Sequence, residues 1–234
     1  MKRLDSISEL LDGPLDDPQA LRGNLRDLRR ANQLTGGVAL SRRALDALSA
    51  GAVELTIIDV GTGGADIPVA LLADARRRGQ RLHVTAVDSR TEILDAARAG
   101  RPVLDTIAGL TLEVADGRAL PYPERSFDVA HASLVLHHLE PPEAVAFLRE
   151  LSRVARRGIV INDLARGHLT LAGAWLLSRL FTRNRYSRHD APLSARRAYT
   201  IHETRLLLAE AGLRPIVETR GIVGHRWAIA AVAS

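Results

Sequence analysis

The chain has no cysteine, one methionine and a single lysine, Lys2. Without a thiol there is no disulfide, no zinc–thiolate centre and no cysteine nucleophile. With lysine confined to position 2, a reductase pair of the form Tyr-x-x-x-Lys cannot be assembled. No run of eighteen apolar residues occurs, so no membrane-spanning segment is expected. The opening stretch MKRLDSISELLDG lacks the apolar core of a signal peptide, and a cytoplasmic location is expected. A net charge of +5 is carried almost wholly by arginine. These arginines are spread along many helical stretches with acids between them, which reads as a solvated surface, and no nucleic-acid partner is expected. At 234 residues the chain is long enough for one domain with a substantial core.

What is present is organised around Glu54–Pro68, ELTIIDVGTGGADIP. Leu55, Ile57, Ile58 and Val60 form a nearly continuous apolar run with β-branched enrichment, the pattern of a parallel strand buried on both faces. It breaks into Gly61-Thr62-Gly63-Gly64, and helical spacing resumes at Ile67, Ala70 and Leu71. Strand, glycine turn and helix make the opening unit of a nucleotide-binding α/β domain. A dinucleotide fingerprint needs a small residue where this chain has Asp66, which disfavours an NAD-dependent reductase. Asp66 before Ile67-Pro68 reads first as a helix N-cap.

Residues 1–50 read as a helical leader, with Leu21, Leu25 and Leu28, then Leu40, Ala44, Leu45 and Leu48, at helical spacing on either side of Gly36-Gly37. Asn32 and Thr35 beside that glycine pair read as turn residues. A second strand, Arg81–Val87, ends in Asp88. This carboxylate lies where nucleotide-binding βαβ units carry the acid that accepts from ribose hydroxyls, and a cap for the helix from Thr91 is the competing role. Leu110–Ala115 gives a third strand before Asp116-Gly117. Phe127–Ala130 gives a fourth, followed by His137-His138, then a helix over Pro141–Ala155 and a fifth strand ending at Asn162-Asp163. His168–Thr182 reads as a strongly apolar helix with Leu169, Ala172, Trp175, Leu176 and Leu180 near one face. An arginine-rich loop to Thr200, a helix from about Ile201 and two strands near Ile216–Glu218 and Arg226–Val232 complete the chain.

The segment D-x-G-T-G-G-A-D resembles motif I of class I S-adenosylmethionine-dependent methyltransferases, acidic-x-G-x-G-x-G, with Ala65 for the last glycine. VADGRALPYPERSFDVA resembles the third motif, and Leu136-His137-His138-Leu139 resembles small-molecule members, quinone-type enzymes included. The N/D-P-P-Y/F tetrad of amino methyltransferases is absent. NQLTGG in the leader and RHDAPLSARRAYT near position 195 look like bacterial enzymes acting on phenolic or polyketide-derived compounds.

The resemblance implies a Rossmann-like, seven-stranded, mostly parallel sheet with helices on both faces, a leader over 1–50, and a core over 51–234 with a lid insertion at about 164–198. It implies S-adenosylmethionine as cofactor, held by Asp59, Gly61, Thr62, Gly63, Asp88, Ser89, Asp116, Gly117 and Ser133. Candidate acceptor residues are Asn162, Asp163, Trp175, Arg188, His189 and Tyr199, and the chain would work as a monomer or homodimer.

The expected reaction is O-methylation of a hydrophobic, aromatic small molecule. A phenol of pKa about 10 is ionised in only about one molecule in a thousand at pH 7, a deficit worth about 4 kcal/mol. His137 and His138 are the candidate bases, with His168, His189 and Asp163 as rivals whose placement depends on the lid; a packing or capping role is the alternative. C-methylation of a quinone-like ring, a reductase, and a non-catalytic cofactor- or RNA-binding module are the other readings. No metal is expected, because no two of His137, His138, His168, His189 and Asp163 share metal-ligand spacing on one element.

Overall fold

The computed structural model describes residues 1–5 and 7–234. Its frame is a seven-stranded sheet in the order β3-β2-β1-β4-β5-β7-β6. The strands are β1 (Glu54–Val60), β2 (Arg81–Asp88), β3 (Leu110–Val114), β4 (Phe127–Ser133), β5 (Ala155–Leu164), β6 (Leu213–Arg220) and β7 (Arg226–Ala233). β1 to β5 pair in parallel, whereas β7 runs antiparallel to both β5 and β6. The short connection 221–225 can only fold β7 back along β6, while β1 and β2 are joined across a helix that permits a parallel return. The expected mostly parallel sheet is met, with helices on both faces.

The helices are α1 (Pro18–Leu34), α2 (Gly37–Leu48), α3 (Asp66–Arg77), α4 (Thr91–Gly100), α5 (Pro141–Val154), α6 (His168–Phe181), α7 (Arg185–Arg197) and α8 (Ile201–Glu210). Alternation along β1 explains its unbroken apolar run. Leu55 and Ile57 pack with Leu40, Ala44 and Leu45 of α2 and Ile67 and Leu71 of α3. Ile58 and Val60 pack on the other face with Phe147, Leu148 and Leu151 of α5 and Leu207 and Leu208 of α8. The leader's second helix is thus one of the layers that cover the sheet, and one hydrophobic cluster draws residues from both sides of position 50.

Several local expectations change. β4 runs past Ala130 to Ser133, because Ala132 and Ser133 stay in register with Ile161 and Asn162. The arginine-rich stretch is not a loop but α7, capped by Asn184, whose side chain accepts from the Tyr186 and Ser187 amides. Its buried stripe includes Ser187, Asp190, Ser194 and Arg197, so no apolar period marks it as a helix. Asp66 does not cap α3. Ala65, in the left-handed region at φ 51°, occupies that place, and the Asp66 carboxylate accepts from Asn32 Nδ2 instead (3.0 Å).

On the face that bears α2, the polar ends of four strands meet. Asp59 is in register with His131, Ser133 with Asn162, and Leu164 with Arg226. Arg226 is 1% exposed. It donates from Nε to Asn162 Oδ1 (2.6 Å), from Nη1 to Asn32 Oδ1 (2.6 Å) and from Nη2 to Ser133 Oγ (2.8 Å). Asn162 Nδ2 donates onward to Ser41 Oγ (2.7 Å) and to the Gly37 carbonyl (2.7 Å). With Ser41 accepting there, its hydroxyl hydrogen is directed at His131 Nε2 (2.8 Å), and His131 Nδ1 then donates to Asp59 (2.5 Å). Two one-directional donor chains therefore leave one guanidinium and end on carboxylates, Asp59 and, through Asn32, Asp66. Burial pushes the Arg226 pKa down to about 10, against the pull of Asp163 and Asp66.

Gly37 permits this packing, since a Cβ there would lie 2.5 Å from Arg226 Nη1 and 2.9 Å from Asn32 Oδ1. Arg226→Met strands two buried acceptors, Asn162 and Asn32, a half-buried one, Ser133, and two carboxylate-terminated chains. It should lower unfolding free energy by about 3–5 kcal/mol in urea titration. Gly37→Ala should cost about 1–3 kcal/mol by overpacking. A loss under about 1 kcal/mol for Arg226→Met would show the network to be dispensable.

Candidate active site

The glycine turn leaves the carboxyl end of β1 and is tied to the end of β2, where Gly61 N and Thr62 N both donate to the Val87 carbonyl (2.9 Å each). Gly61 has φ +72°, and a Cβ there would collide with the Val135 side chain beyond β4. The turn is therefore pressed between strand ends as only glycine allows. Asp88 Oδ2 accepts from Gly63 N (3.0 Å) and Oδ1 from Arg90 N (3.2 Å). Arg90 is the N-cap residue of α4, so Asp88 braces both the turn and the next helix while keeping lone pairs for a ligand. Ala115 N donates to the Asp88 carbonyl (3.0 Å), which brings the loop after β3 alongside.

Two buried carboxylates, Asp59 and Asp88, and the half-buried Asp66 lie by this turn. Burial raises the pKa of Asp88, with the charge of Asp59 adding to it and the Gly63 and Arg90 amides opposing. Burial likewise raises Asp66, with Asn32 opposing and Asp59 again adding. Among the described residues, the buried Thr62 Oγ1 has no hydrogen-bond partner. A cradle with an unpaired hydroxyl and an excess of negative charge fits a ligand that carries hydroxyls and positive charge.

The other expected cofactor residues divide. Ser89 is exposed at the end of β2. Asp116 is also exposed and is held by Arg118, from Nη2 (2.9 Å) and Nε (3.1 Å); that bonding keeps its carboxyl low. Gly117 sits against Val60 and Phe147 with no room for a side chain. Ser133 faces the buried network as an acceptor for Arg226.

The second half of the site follows β4. Leu134 takes the left-handed region at φ +58°, an uncommon state for a branched residue, and its N–H donates to the Asn162 carbonyl (2.9 Å). The chain then makes one tight turn, Leu136–His138. Asp163 of β5 fixes His137, accepting from Nδ1 (2.7 Å) and from the His137 amide (3.1 Å), and it also accepts from the Leu164 amide (2.7 Å). Burial would raise the Asp163 pKa, but His137 and these amides outweigh it and hold the carboxyl low.

His138 Nδ1 meets Asp12 Oδ1 at 2.9 Å. With both Nδ1 atoms anchored, both Nε2 atoms face Glu9 of the leader, at 3.6 Å for His137 and 3.9 Å for His138. Burial lowers the His138 pKa, yet Glu9 and Asp12 prevail and raise it to about 9. Asp12 is correspondingly held at about 2 despite burial. α7 closes the cluster: Ser194 Oγ donates to Glu9 Oε1 (2.9 Å), and Arg197 donates to Asp12 Oδ2 (3.2 Å) and to the His138 carbonyl (2.6 Å).

The candidate acceptor residues do not assemble. Asn162 is fully enclosed and bonded within the Arg226 network. Tyr199 is buried, with its hydroxyl donating to the Leu139 carbonyl (2.7 Å) and Arg3 stacked over its ring (4.4 Å). Arg188 ties α7 to the end of α6 through the Thr182 carbonyl (2.8 Å). His189 pairs with Asp190 (2.7 Å). Trp175 and the apolar face of α6 point outward: Leu169 is 78% and Trp175 52% exposed, while the helix buries Thr170 and Ser178. Of that group only Asp163 belongs to the site. Glu9, Asp12, His131 and Arg226 were not legible as partners, because the residues they meet lie far away in sequence.

A family model described as a methyltransferase domain matches residues 57–158. The matched segment is similar to a methyltransferase domain. That segment runs from β1 into β5 and includes the glycine turn, Asp88 and both histidines. The ubiquinone/menaquinone biosynthesis C-methyltransferase UbiE of Rickettsia akari is 32% identical over 100 residues, 43% of this chain and 40% of its own length. The chain thus spans less than half of that curated relative. A SAM-dependent methyltransferase from Aquifex aeolicus superposes with a TM-score of 0.62 at 21% identity, over 92% of this chain and 97% of its own. An O-methyltransferase of neocarzinostatin biosynthesis, solved with S-adenosyl-L-homocysteine and 1,4-dihydroxy-2-naphthoic acid, superposes with a TM-score of 0.67 at 19% identity, over 97% and 62%. These likenesses place the whole sheet and its helices in the Rossmann-like methyltransferase fold.

The brace on His137 can be tested without substrate. Asp163→Asn replaces an acceptor of three hydrogen bonds with a group that must turn a donor toward one of them. It should cost about 3 kcal/mol or more in urea unfolding. An unchanged midpoint would show that Asp163 does not hold the histidine turn in place.

Proposed function

We propose that this chain binds S-adenosylmethionine over the glycine turn and transfers its methyl group to a hydroxyl oxygen of a hydrophobic, aromatic small molecule. The observation that carries the reading is the buried carboxylate cradle with the unpaired Thr62 hydroxyl, set beside two histidines on the neighbouring strand end. When bound, the cofactor supplies a methyl group already activated by a positively charged sulfur. Asp88 would accept from the ribose hydroxyls, each charge-assisted bond contributing roughly 1.5–3 kcal/mol. Asp59 and Asp66 would offset the cofactor's positive charge, and the Asp116–Gly117 corner would border the adenine. His137, beyond β4, would receive the acceptor's proton, with Asp163 holding its imidazole in one tautomer, while His138, kept protonated near neutral pH by Glu9 and Asp12, would place a positive charge beside it. Alignment of oxygen and methyl is the larger contribution, up to roughly 7–11 kcal/mol. The proposal includes a cytoplasmic setting and a monomer or homodimer without nucleic acid.

A second reading, C-methylation of a quinone-like ring, is supported by the similarity to UbiE, a ubiquinone/menaquinone biosynthesis C-methyltransferase. A panel of phenols and quinones with isotopically labelled methyl donor separates the two, since product NMR distinguishes a methoxy from a ring methyl.

Calorimetry should find S-adenosylmethionine and its demethylated product bound and NAD not bound. Asp88→Asn should weaken cofactor binding by about 10- to 100-fold. Because burial raises the Asp88 pKa, the ionised form is lost earlier on acidification than for an ordinary aspartate. Affinity should therefore fall as pH drops toward the carboxylate range, and Asp88→Asn should flatten that dependence. His137→Gln should lower turnover about 100-fold with cofactor affinity unchanged. Binding of NAD in place of the sulfonium ligand would overturn the reading.

A further inference from the structure

We propose that Glu9, His137 and His138 bind a divalent transition-metal ion of the zinc and cobalt type. One ligand atom from each, a carboxylate oxygen and two imidazole nitrogens, lies within 4.8 Å of the others. Glu9 and His137 are buried and His138 is largely so. Their spacing is the first argument. At 3.6 and 3.9 Å the Nε2 atoms are too far from Glu9 for hydrogen bonds. Tetrahedral ligands at about 2.0–2.1 Å from zinc sit about 3.3 Å apart, so side-chain closure of up to about 1.5 Å from the 4.8 Å spacing would seat an ion between them.

The anchoring of each ligand is the second argument. A metal-bound histidine commonly gives its other nitrogen to a carboxylate, which fixes tautomer and ring direction. Here both histidines do so, His137 to Asp163 (2.7 Å) and His138 to Asp12 (2.9 Å). Glu9 is oriented in turn by Ser194 Oγ (2.9 Å). Asp163 is further held by two backbone amides and Asp12 by Arg197, so the outer partners are themselves fixed.

Donor chemistry selects the ion. Two imidazoles and one carboxylate suit zinc, cobalt or iron rather than calcium or magnesium, which take all-oxygen shells. Three protein ligands leave a coordination position open. An acceptor oxygen bound there would be polarised by the ion, and because both Nε2 atoms would then be ligands, the ion would take the place of a histidine base in lowering that oxygen's pKa.

The binding claim does not depend on methyl transfer and is tested on the full chain after chelator treatment and dialysis. Titration with cobalt(II) chloride should show one ion per chain, with visible ligand-field absorption, and zinc should displace it. X-ray absorption on the wild-type cobalt form should find two imidazoles. Glu9→Gln should weaken cobalt binding by at least tenfold, and Asp12→Asn by about 10- to 100-fold through the outer shell. Magnesium chloride should give no heat at the same concentration. Absence of a stoichiometric site in the wild type, fewer than two imidazoles on cobalt, or unweakened binding by a folded Glu9→Gln protein would overturn the proposal. The wild-type measurements decide the matter even where a variant fails to fold. Calorimetry with S-adenosylmethionine on the chelated protein keeps failure here distinct from failure of the proposed function.

Discussion

One buried guanidinium sets the terms for this molecule. A fully enclosed cation costs several kcal/mol in desolvation unless its hydrogens are taken up. Arg226 meets that demand with acceptors from three directions, Asn162 on β5, Ser133 on β4 and Asn32 at the end of α1. Each acceptor is committed in turn, and the donor chains end on Asp59 and Asp66, the acids that flank the glycine turn. The last strand of the sheet and the first helices of the chain are consequently joined to the segment that would hold the cofactor. The leader cannot shift far without exposing a charge or stranding an acceptor.

A second polar knot works the same way on the other side of β4. Asp163, His137, Glu9, His138 and Asp12 draw together β5, the tight turn after β4 and the leader, and α7 seals them with Ser194 and Arg197. α7, part of what sequence suggested as a mobile lid, is instead the backing for the leader. Its neighbour α6 turns an apolar face to solvent. The region expected to contact the acceptor thereby becomes a support for the histidine turn.

Much of the fold was legible because the sheet obeys simple periodicity. β1's continuous apolar run, the break into glycines and the return to helical spacing translate directly into a strand buried on both faces, a turn and α3. Asp88 was legible from its distance beyond the turn, and the paired histidines from their place after the fourth strand. The failures share a cause. α7 buries serine, aspartate and arginine, so apolar spacing is silent there. Arg226 and His131 lie inside strands whose alternation points them at α2, and only the strand register reveals that they share a face with Asp59 and Asn162. Glu9 and Asp12 meet histidines more than a hundred residues away. Asp66 looked like a cap because its neighbours suit one, but Ala65 adopts the left-handed state and frees the carboxylate for Asn32.

The central claim is that leader and sheet form one cooperative unit held by buried polar bonds, with the cofactor turn at their junction. Native-state hydrogen exchange tests it most directly. Amides in Leu40–Leu48 of α2 should exchange with the same free energy as those of Ile57–Val60 in β1, both opening only with global unfolding. Exchange of the α2 amides several kcal/mol below those of β1 would contradict the account, because it would mean that the leader detaches while the sheet stays folded.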